Sequence, residues 1–278
     1  MLPLSDYLEI AVNAAHAGAA ILKNYQSAPG SLIIDFKGRY DLVSQADRES
    51  EKAIIEILQS GTPELGIIAE ESGGMQQGLA TWHIDPLDGT TNYLHGIGHF
   101  AVSIGLVAHA GTMDPTGKIL EADTPVLGVI YDPVREEIFT AMRGVGAWRN
   151  GQRIQHSGVK NLENSLIAVG IPVKEFENID SYMMIIKDVV LSTRGIRRQG
   201  AAALDLAWVA CGRVDGYFEE KLNTWDIAAG VIIAQESGAI VSDPLNEHAP
   251  WPAAGRLVAA SPAIHGSLSA IYRSHMQN

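Results

Sequence analysis

Apolar residues recur every three or four positions at Leu4, Leu8, Val12, Ala15, Ala19 and Leu22, the spacing of an amphipathic helix with one buried stripe. That helix is expected to stop before Pro29-Gly30, followed by an extended piece over Leu32–Phe36 and a turn at Lys37-Gly38-Arg39. Ser44-Gln45-Ala46-Asp47 reads as a capping box opening a second helix, which runs through about Leu58 and ends at Gly61-Thr62-Pro63. Leu65–Ala69 and Trp82–Asp85 read as short buried strands, each delivering acidic residues at its C-terminal end. Phe100–Ala108, Val126–Tyr131 and Glu137–Met142 follow as successive strands, with Gly144–Gly151 as a turn-rich extension.

The second half changes character. Helices over Asn178–Ser192, Ala201–Cys211 and Trp225–Gly238 alternate with short strands near Ile196–Arg198, Gly216–Glu219, Ala239–Val241 and Leu257–Ala260. Alternation of this kind predicts an α/β layer after a strand-rich first half, hence an α+β chain. The change falls near Asn150-Gly151, where nothing resembles a flexible linker. Two closely packed subdomains, residues 1–150 and 151–278, are expected. No repeat of 20–50 residues and no low-complexity tract interrupts this pattern.

Composition narrows the chemistry. The chain has 278 residues, 46% of them hydrophobic, and 20 Lys+Arg stand against 32 Asp+Glu for a formal charge of −12. Such a balance argues against nucleic acid and anionic membranes as partners. An acidic protein still handles phosphate when metal ions supply the positive charge. Cys211 is the single cysteine, so an intramolecular disulfide or a Cys-based zinc cage is excluded, and its apolar helical setting reads as core packing. The start, MLPLSDYLEI, lacks a basic segment followed by an apolar run, and no apolar stretch approaches the ~18 residues that span a bilayer. A cytoplasmic chain is the simplest expectation.

The informative segment is Trp82-His83-Ile84-Asp85-Pro86-Leu87-Asp88-Gly89-Thr90-Thr91-Asn92-Tyr93. Asp85 leaves an apolar strand, Pro86 holds the turn, and Gly89 admits a ligand to the backbone. Two carboxylates ~4 Å apart repel by about 4 kcal/mol at an effective dielectric near 20, so either one stays protonated or a cation sits between them. Glu70-Glu71 and Asp226 occupy comparable positions beside apolar segments. Oxygen donors without Cys or paired His spacing favour Mg²⁺ over zinc, and Mg²⁺ commonly shares its site with phosphate. Gly89-Thr90-Thr91 offers N–H groups and hydroxyls at a helix start, where phosphate binds readily. The constellation reads as metal-assisted phosphoryl transfer.

Glu70-Glu71-Ser72-Gly73, Asp85-Pro86-Leu87-Asp88-Gly89-Thr90-Thr91-Asn92 and Trp225-Asp226-Ile227-Ala228-Ala229-Gly230 resemble the three signature motifs of the inositol monophosphatase family, in the family's order. Gly200-Ala201-Ala202-Ala203-Leu204-Asp205 and Gly212-Arg213-Val214-Asp215-Gly216-Tyr217 are similar to its bacterial branch. The resemblance implies a layered α/β/α/β/α sugar-phosphatase-type fold. It further implies two to three Mg²⁺ ions held by Glu70, Asp85, the Leu87 carbonyl, Asp88 and Asp226. Glu70 and Thr90 would orient the attacking water, with Asp47 hydrogen-bonded to Thr90 and no covalent phosphoenzyme. Gly89 and Thr90 would meet the phosphate. Asp88, Gly200, Ala201, Ala202 and Glu219 would meet the alcohol, with Ala201 standing where many relatives carry a hydroxyl. Inhibition by Li⁺ and a homodimer are implied in the same way.

Several residues keep a second reading. Asp47 occupies the N3 position of the Ser44 capping box and can serve the helix alone; Asp226 can be a first-turn carboxylate favoured by the helix dipole. Glu71 can be solvated or salt-bridged, and Lys37, placed where relatives carry a mobile basic residue, can be a plain surface lysine. His83, His95 and His99 read as packing or supporting groups, and Arg197-Arg198 as a charged strand end, with attraction of phosphate as its second reading. The stretch Gly111–Pro125 is longer than the resemblance predicts. A haloacid-dehalogenase reading is opposed because its two aspartates stand two apart, whereas Asp85 and Asp88 stand three apart. The expectation is an Mg²⁺-dependent phosphomonoesterase acting on inositol 1-phosphate or a similar polyol or sugar phosphate. Histidinol phosphate, fructose 1,6-bisphosphate or a nucleotide 3′-phosphate are alternative substrates, and regulation of a transcription complex is the alternative role.

Overall fold

A computed structural model describes residues 3–27, 34–38, 41–114, 116–172 and 177–276, with the backbone alone at 34–38 and 41–43. The first half contains α1 (Leu4–Ser27), β1 (Ile34–Gly38), β2 (Asp41–Ser44), α2 (Gln45–Gly61), β3 (Gly66–Ala69), β4 (Gly73–Met75), β5 (Ala80–Asp88), α3 (Thr90–Leu94), β6 (Ala101–Ala108), β7 (Thr124–Asp132), β8 (Glu137–Met142), β9 (Gly146–Arg149) and β10 (Gln152–Arg153). The second contains β11 (Leu166–Val169), α4 (Ile179–Ser192), β12 (Gly195–Arg197), α5 (Ala202–Ala210), β13 (Gly216–Glu219), α6 (Thr224–Glu236), β14 (Ile240–Ser242), β15 (Leu257–Ala260) and α7 (Pro262–Met276).

Two sheets carry the fold. An eight-stranded sheet runs β10-β9-β8-β7-β6-β5-β3-β4, with β3 and β5 its parallel pair. A five-stranded sheet runs β12-β11-β13-β15-β14, parallel across β12-β11-β13 and antiparallel beyond. Helix α6 is buried at every position from Ile227 to Ala234, as a helix apolar all round must be, and with α5 it fills the space between the sheets. Helices α1 and α2 cover the outer face of the large sheet, and α4 and α7 that of the small one. The result is the expected α/β/α/β/α stack. Among the described residues no helix is long and apolar enough to cross a membrane.

The buried stripe of α1 includes the expected Leu4, Ala15, Ala19 and Leu22, joined by Tyr7, Ala11 and Ala14, while Leu8 and Val12 are half-buried beside it. That of α2 is Ala46, Asp47, Ser50, Glu51, Ile54 and Leu58, half of it polar, and this polar half faces the site described below. Several local expectations need correcting. Lys37 and Gly38 belong to β1, with a register shift at the bulge between Phe36 and Gly38, while Arg39 lies outside the described residues, as do Pro29, Gly30 and Leu32. Strand β5 continues through Pro86 to Asp88, because its pairing with β6 shifts register between Asp85 and Asp88 and the missing proline N–H costs no ladder bond. The glycine-rich extension after Met142 is the β9-β10 hairpin. Strand β11 and helix α7 were not foreseen. Among the described residues of 111–125, Met113 bridges Ile119, and the Asp114 carboxylate pairs with Arg143, which follows β8, at 3.0 Å.

Candidate active site

The ends of both sheets and the first turns of three helices meet at a cavity of about 420 Å³. Glu70 reaches it from the turn after β3; Asp85, Leu87 and Asp88 from the end of β5; Gly89 and Thr90 from the start of α3. The opposite wall holds Gly200 and Ala202 before and at the start of α5, Glu219 at the end of β13, and Asp226 in the first turn of α6. Local hydrogen bonds fix these groups. Asp85 Oδ1 accepts from the Leu87 N–H at 2.9 Å, closing the Pro86 turn. The Asp88 carboxylate accepts from the N–H groups of Ala202 (3.2 Å) and Ala203 (2.7 Å), so it caps α5 and ties the two sheets together. Gly89, at φ 92°, makes the left-handed turn into α3, and a Cβ there would press on the His99 carbonyl at 3.0 Å. Asn92 Nδ2 donates to the carbonyls of His99 and Gln199, both at 2.8 Å, holding α3 against the segment before α5.

The electrostatics are those of crowded acid. Burial pushes the Asp85 carboxyl well above its ordinary value, and the charges of Glu70, Asp88 and Asp226 push it further. Burial lifts Asp88 to about 7 against the pull of its two N–H donors. Glu219 is raised by burial too, partly offset by the Tyr217 hydroxyl that donates to it and by the Arg198 charge. Among the described residues no three His, Cys, Asp or Glu side chains close into a ready-made cage. The donor set nonetheless fits a hard divalent cation: carboxylates that repel one another around one cavity, a backbone carbonyl at Leu87, and oxygen throughout. The N–H groups at the α3 N-terminus, which borders the cavity, can take an anion.

Residues 4–277 match the sequence profile of the inositol monophosphatase family. The chain belongs to that family. Nus factor SuhB of Salmonella typhimurium is 40% identical over 275 residues, covering 98% of this chain and 97% of that protein. Nus factor SuhB of Escherichia coli K12 is 39% identical with the same coverage. The crystal structure of the extragenic suppressor protein suhB from Bartonella henselae superposes with a TM-score of 0.86 at 36% identity, covering 97% and 99% of the two chains. An inositol monophosphatase from Anabaena (Nostoc) sp. PCC 7120 gives 0.82 at 37% identity, covering 99% and 98%.

Of the residues singled out in the sequence, Glu70, Asp85, Leu87, Asp88, Gly89, Thr90, Gly200, Ala202, Glu219 and Asp226 all line the cavity. Asp47 sits behind it, buried; its carboxylate accepts from the Ser44 N–H at 2.8 Å and from the Ser44 hydroxyl, and its other oxygen accepts from Thr90 Oγ1 at 3.3 Å. One carboxylate thus caps α2 and touches Thr90, so its two readings are compatible. Asp226 likewise accepts from the Asn223 N–H at 2.6 Å as the N3 residue of α6 while facing the cavity. Ala201 is buried beneath the wall and does not line it, and Glu71 stands just outside. Lys37 is on β1, and its side chain is outside the described residues. His83 is buried with Nδ1 2.8 Å from Thr224 Oγ1, a supporting group under α6. Cys211 is half-buried as the C-cap of α5.

Of the two readings of Arg197-Arg198, a charged strand end does not describe Arg198, which faces the cavity. Strand β12 stops at Arg197, and Arg198 lines the cavity near Glu219, with a guanidinium nitrogen 2.1 Å from where a Gly200 Cβ would stand. Only the doubled arginine before Gly200 marked it in the sequence. Gly170 was missed entirely. A Cβ at this position would fall 1.7 Å from the Glu219 carboxyl carbon, so the carboxylate rests directly on the Gly170 backbone.

Proposed function

We propose that this chain is an Mg²⁺-dependent phosphomonoesterase that hydrolyses inositol 1-phosphate or a similar polyol or sugar phosphate by direct in-line attack of water. The observation that carries this reading is the convergence of Glu70, Asp85, the Leu87 carbonyl, Asp88 and Asp226 on one cavity beside Gly89 and Thr90. Under it, the first four of those residues and Asp226 hold two to three Mg²⁺ ions. Bound Mg²⁺ neutralises phosphate charge and makes water easier to deprotonate.

The chain's own groups do the rest. The Gly89 and Thr90 N–H groups hold a phosphate oxygen at the start of α3. Glu70 and Thr90 orient the water opposite the leaving oxygen, and Thr90 relays a proton towards the buried Asp47 carboxylate that already accepts from it. The water oxygen bonds to phosphorus as the ester bond breaks, the leaving alkoxide takes a proton from solvent water, and Asp47 returns its proton to solvent, without a phosphoenzyme. Asp88, Glu219, Gly200 and Ala202 face the alcohol's hydroxyls, with Ala201 buried beneath them. In this arrangement residues 1–150 supply most of the metal ligands, and 151–278 supply Asp226 and the alcohol contacts. Family kinship supports a cytoplasmic homodimer inhibited by Li⁺.

A panel of phosphate esters assayed for phosphate release with Mg²⁺ tests the reading. Release from a polyol phosphate, abolished in Asp88→Asn, is the expected result; no Mg²⁺-dependent release from any ester overturns it. Relatives named Nus factor SuhB favour a second reading, a regulatory role in a transcription complex. Survival of the biological activity in the hydrolysis-dead Asp88→Asn chain would select that role.

A further inference from the structure

Glu51 is a buried carboxylate that the mechanism above leaves unused. It lies on α2 four residues after Asp47 and next to Ser50, on the helix face turned to the cavity. Its Oε2 accepts from the Glu71 N–H at 2.7 Å and its Oε1 from the Ser72 N–H at 2.9 Å. Those N–H groups immediately follow Glu70, whose own N–H donates to the Ile84 carbonyl of β5 at 3.1 Å. Beside it, Ser50 Oγ donates to the Pro86 carbonyl at 3.1 Å, and one turn back Asp47 accepts from Thr90. A single helix face therefore grips the Glu70 turn, the Pro86 turn and the head of α3.

Two consecutive N–H groups bound by one buried carboxylate form a charge-assisted pair with little freedom to slide. Glutamine in the same place keeps one acceptor and turns an amide N–H₂ against the other N–H donor, so one of the two bonds is lost. Metal sites depend on such outer contacts, whose removal typically costs about 10- to 100-fold in affinity.

We propose that Glu51 is a positioning residue: by clamping the 71–72 backbone to α2 it sets the spacing between the Glu70 and Asp85 carboxylates, and so the affinity of the cavity for its divalent cation. The proposal rests on the reading of the cavity as an Mg²⁺ site. Calorimetric titration with Mg²⁺ alone, on the wild-type chain and on Glu51→Gln, tests it, with thermal unfolding in EDTA recorded for both. A folded Glu51→Gln chain should bind Mg²⁺ at least about tenfold more weakly. The half-activating Mg²⁺ concentration for phosphate release should rise by the same factor, while KM for the ester at saturating Mg²⁺ moves far less. If Glu51→Gln does not fold, Glu51→Asp, which keeps the charge on a shorter arm, is expected to show the same loss. Wild-type affinity in a folded variant overturns the positioning role and leaves the site reading standing. Failure of both variants to fold assigns Glu51 to stability alone and overturns it too. A wild-type chain that binds no Mg²⁺ overturns both the site reading and this one.

Discussion

Gly170 offers the sharpest test of how the alcohol side is built. Its backbone φ lies outside the left-handed region, so alanine fits the local conformation, but the new methyl would stand 1.7 Å from Glu219 Cδ, 1.8 Å from Oε2 and 2.2 Å from Oε1. Ordinary contact begins near 3.4 Å, so the carboxylate must retreat by roughly 1.5 Å. That motion breaks the hydrogen bond from the Tyr217 hydroxyl and takes Glu219 off the cavity wall. Overpacking of this kind costs about 1 to 3 kcal/mol of stability. A misplaced charged hydrogen bond to a substrate hydroxyl costs about 1.5 to 3 kcal/mol, or about 10- to 100-fold in kcat/KM. The assay compares a polyol phosphate with an aryl phosphate that carries no hydroxyl groups, at saturating Mg²⁺ and below the melting temperature. Gly170→Ala should lose kcat/KM on the polyol ester and keep it on the aryl ester. Equal losses on both, or none on either, would refute the assignment of Glu219 to the alcohol.

Other outcomes follow from the same geometry. Because burial lifts Asp88 to about 7, the folded chain holds a proton there that the unfolded chain has released, and ionisation erodes stability as pH rises from about 4 through 7. The melting-temperature advantage of Asp88→Asn over wild type in EDTA should therefore grow between pH 4 and pH 8; a constant or shrinking difference would count against a destabilising carboxylate. EDTA should abolish phosphate release and added Mg²⁺ restore it, with excess Li⁺ inhibiting; activity untouched by EDTA would remove metal from the reaction. Outside the cavity lining, Arg213 pairs with both oxygens of Glu137 at 2.5 and 2.6 Å and lies 5.2 Å from the Trp208 ring. Arg213→Ala should cost about 1 to 2 kcal/mol in denaturant unfolding while leaving kcat unchanged, and a drop in kcat would show that this surface couples to the site.

What the sequence reveals about the fold tracks how local each signal is. The α1 stripe and the Ser44-Asp47 capping box are written in neighbouring residues, and both stand where the pattern puts them. Strand β11 is a four-residue run in the middle of a sheet, too short for periodicity to separate from a loop. Helix α7 buries only Ile264, Leu268, Ser269 and Tyr272 among small and polar residues, so its stripe is thin, and Pro262 at its first position was the overlooked start signal. At the cavity, carboxylates following apolar strands are conspicuous because their charge conflicts with their setting. Glu51 and Arg198 are not, since helix charges and strand-end arginines are usually solvated. Glu51 did leave a trace: it falls in the slot that Ala46, Ser50, Ile54 and Leu58 mark as inward. Gly170 left none, because its requirement comes from a side chain 49 positions away in a different strand.

A chain of formal charge −12 still assembles this acidic cavity, and the arrangement of helix ends accounts for it. The first turns of α3, α5 and α6 all border the cavity, where free N–H groups and the helix dipole favour negative charge. Asp88 is satisfied by two N–H groups of α5 and Asp226 by the Asn223 N–H at the head of α6, so each carboxylate completes a helix before any ligand arrives. Glu51 and Asp47 do the same for the 70–72 turn and for α2. The acids are therefore held by the fold's own donors at fixed points around the cavity. Under the proposed function, a divalent cation entering there would meet carboxylates whose positions were already set during folding, and its binding energy would go into relieving their repulsion rather than into ordering them.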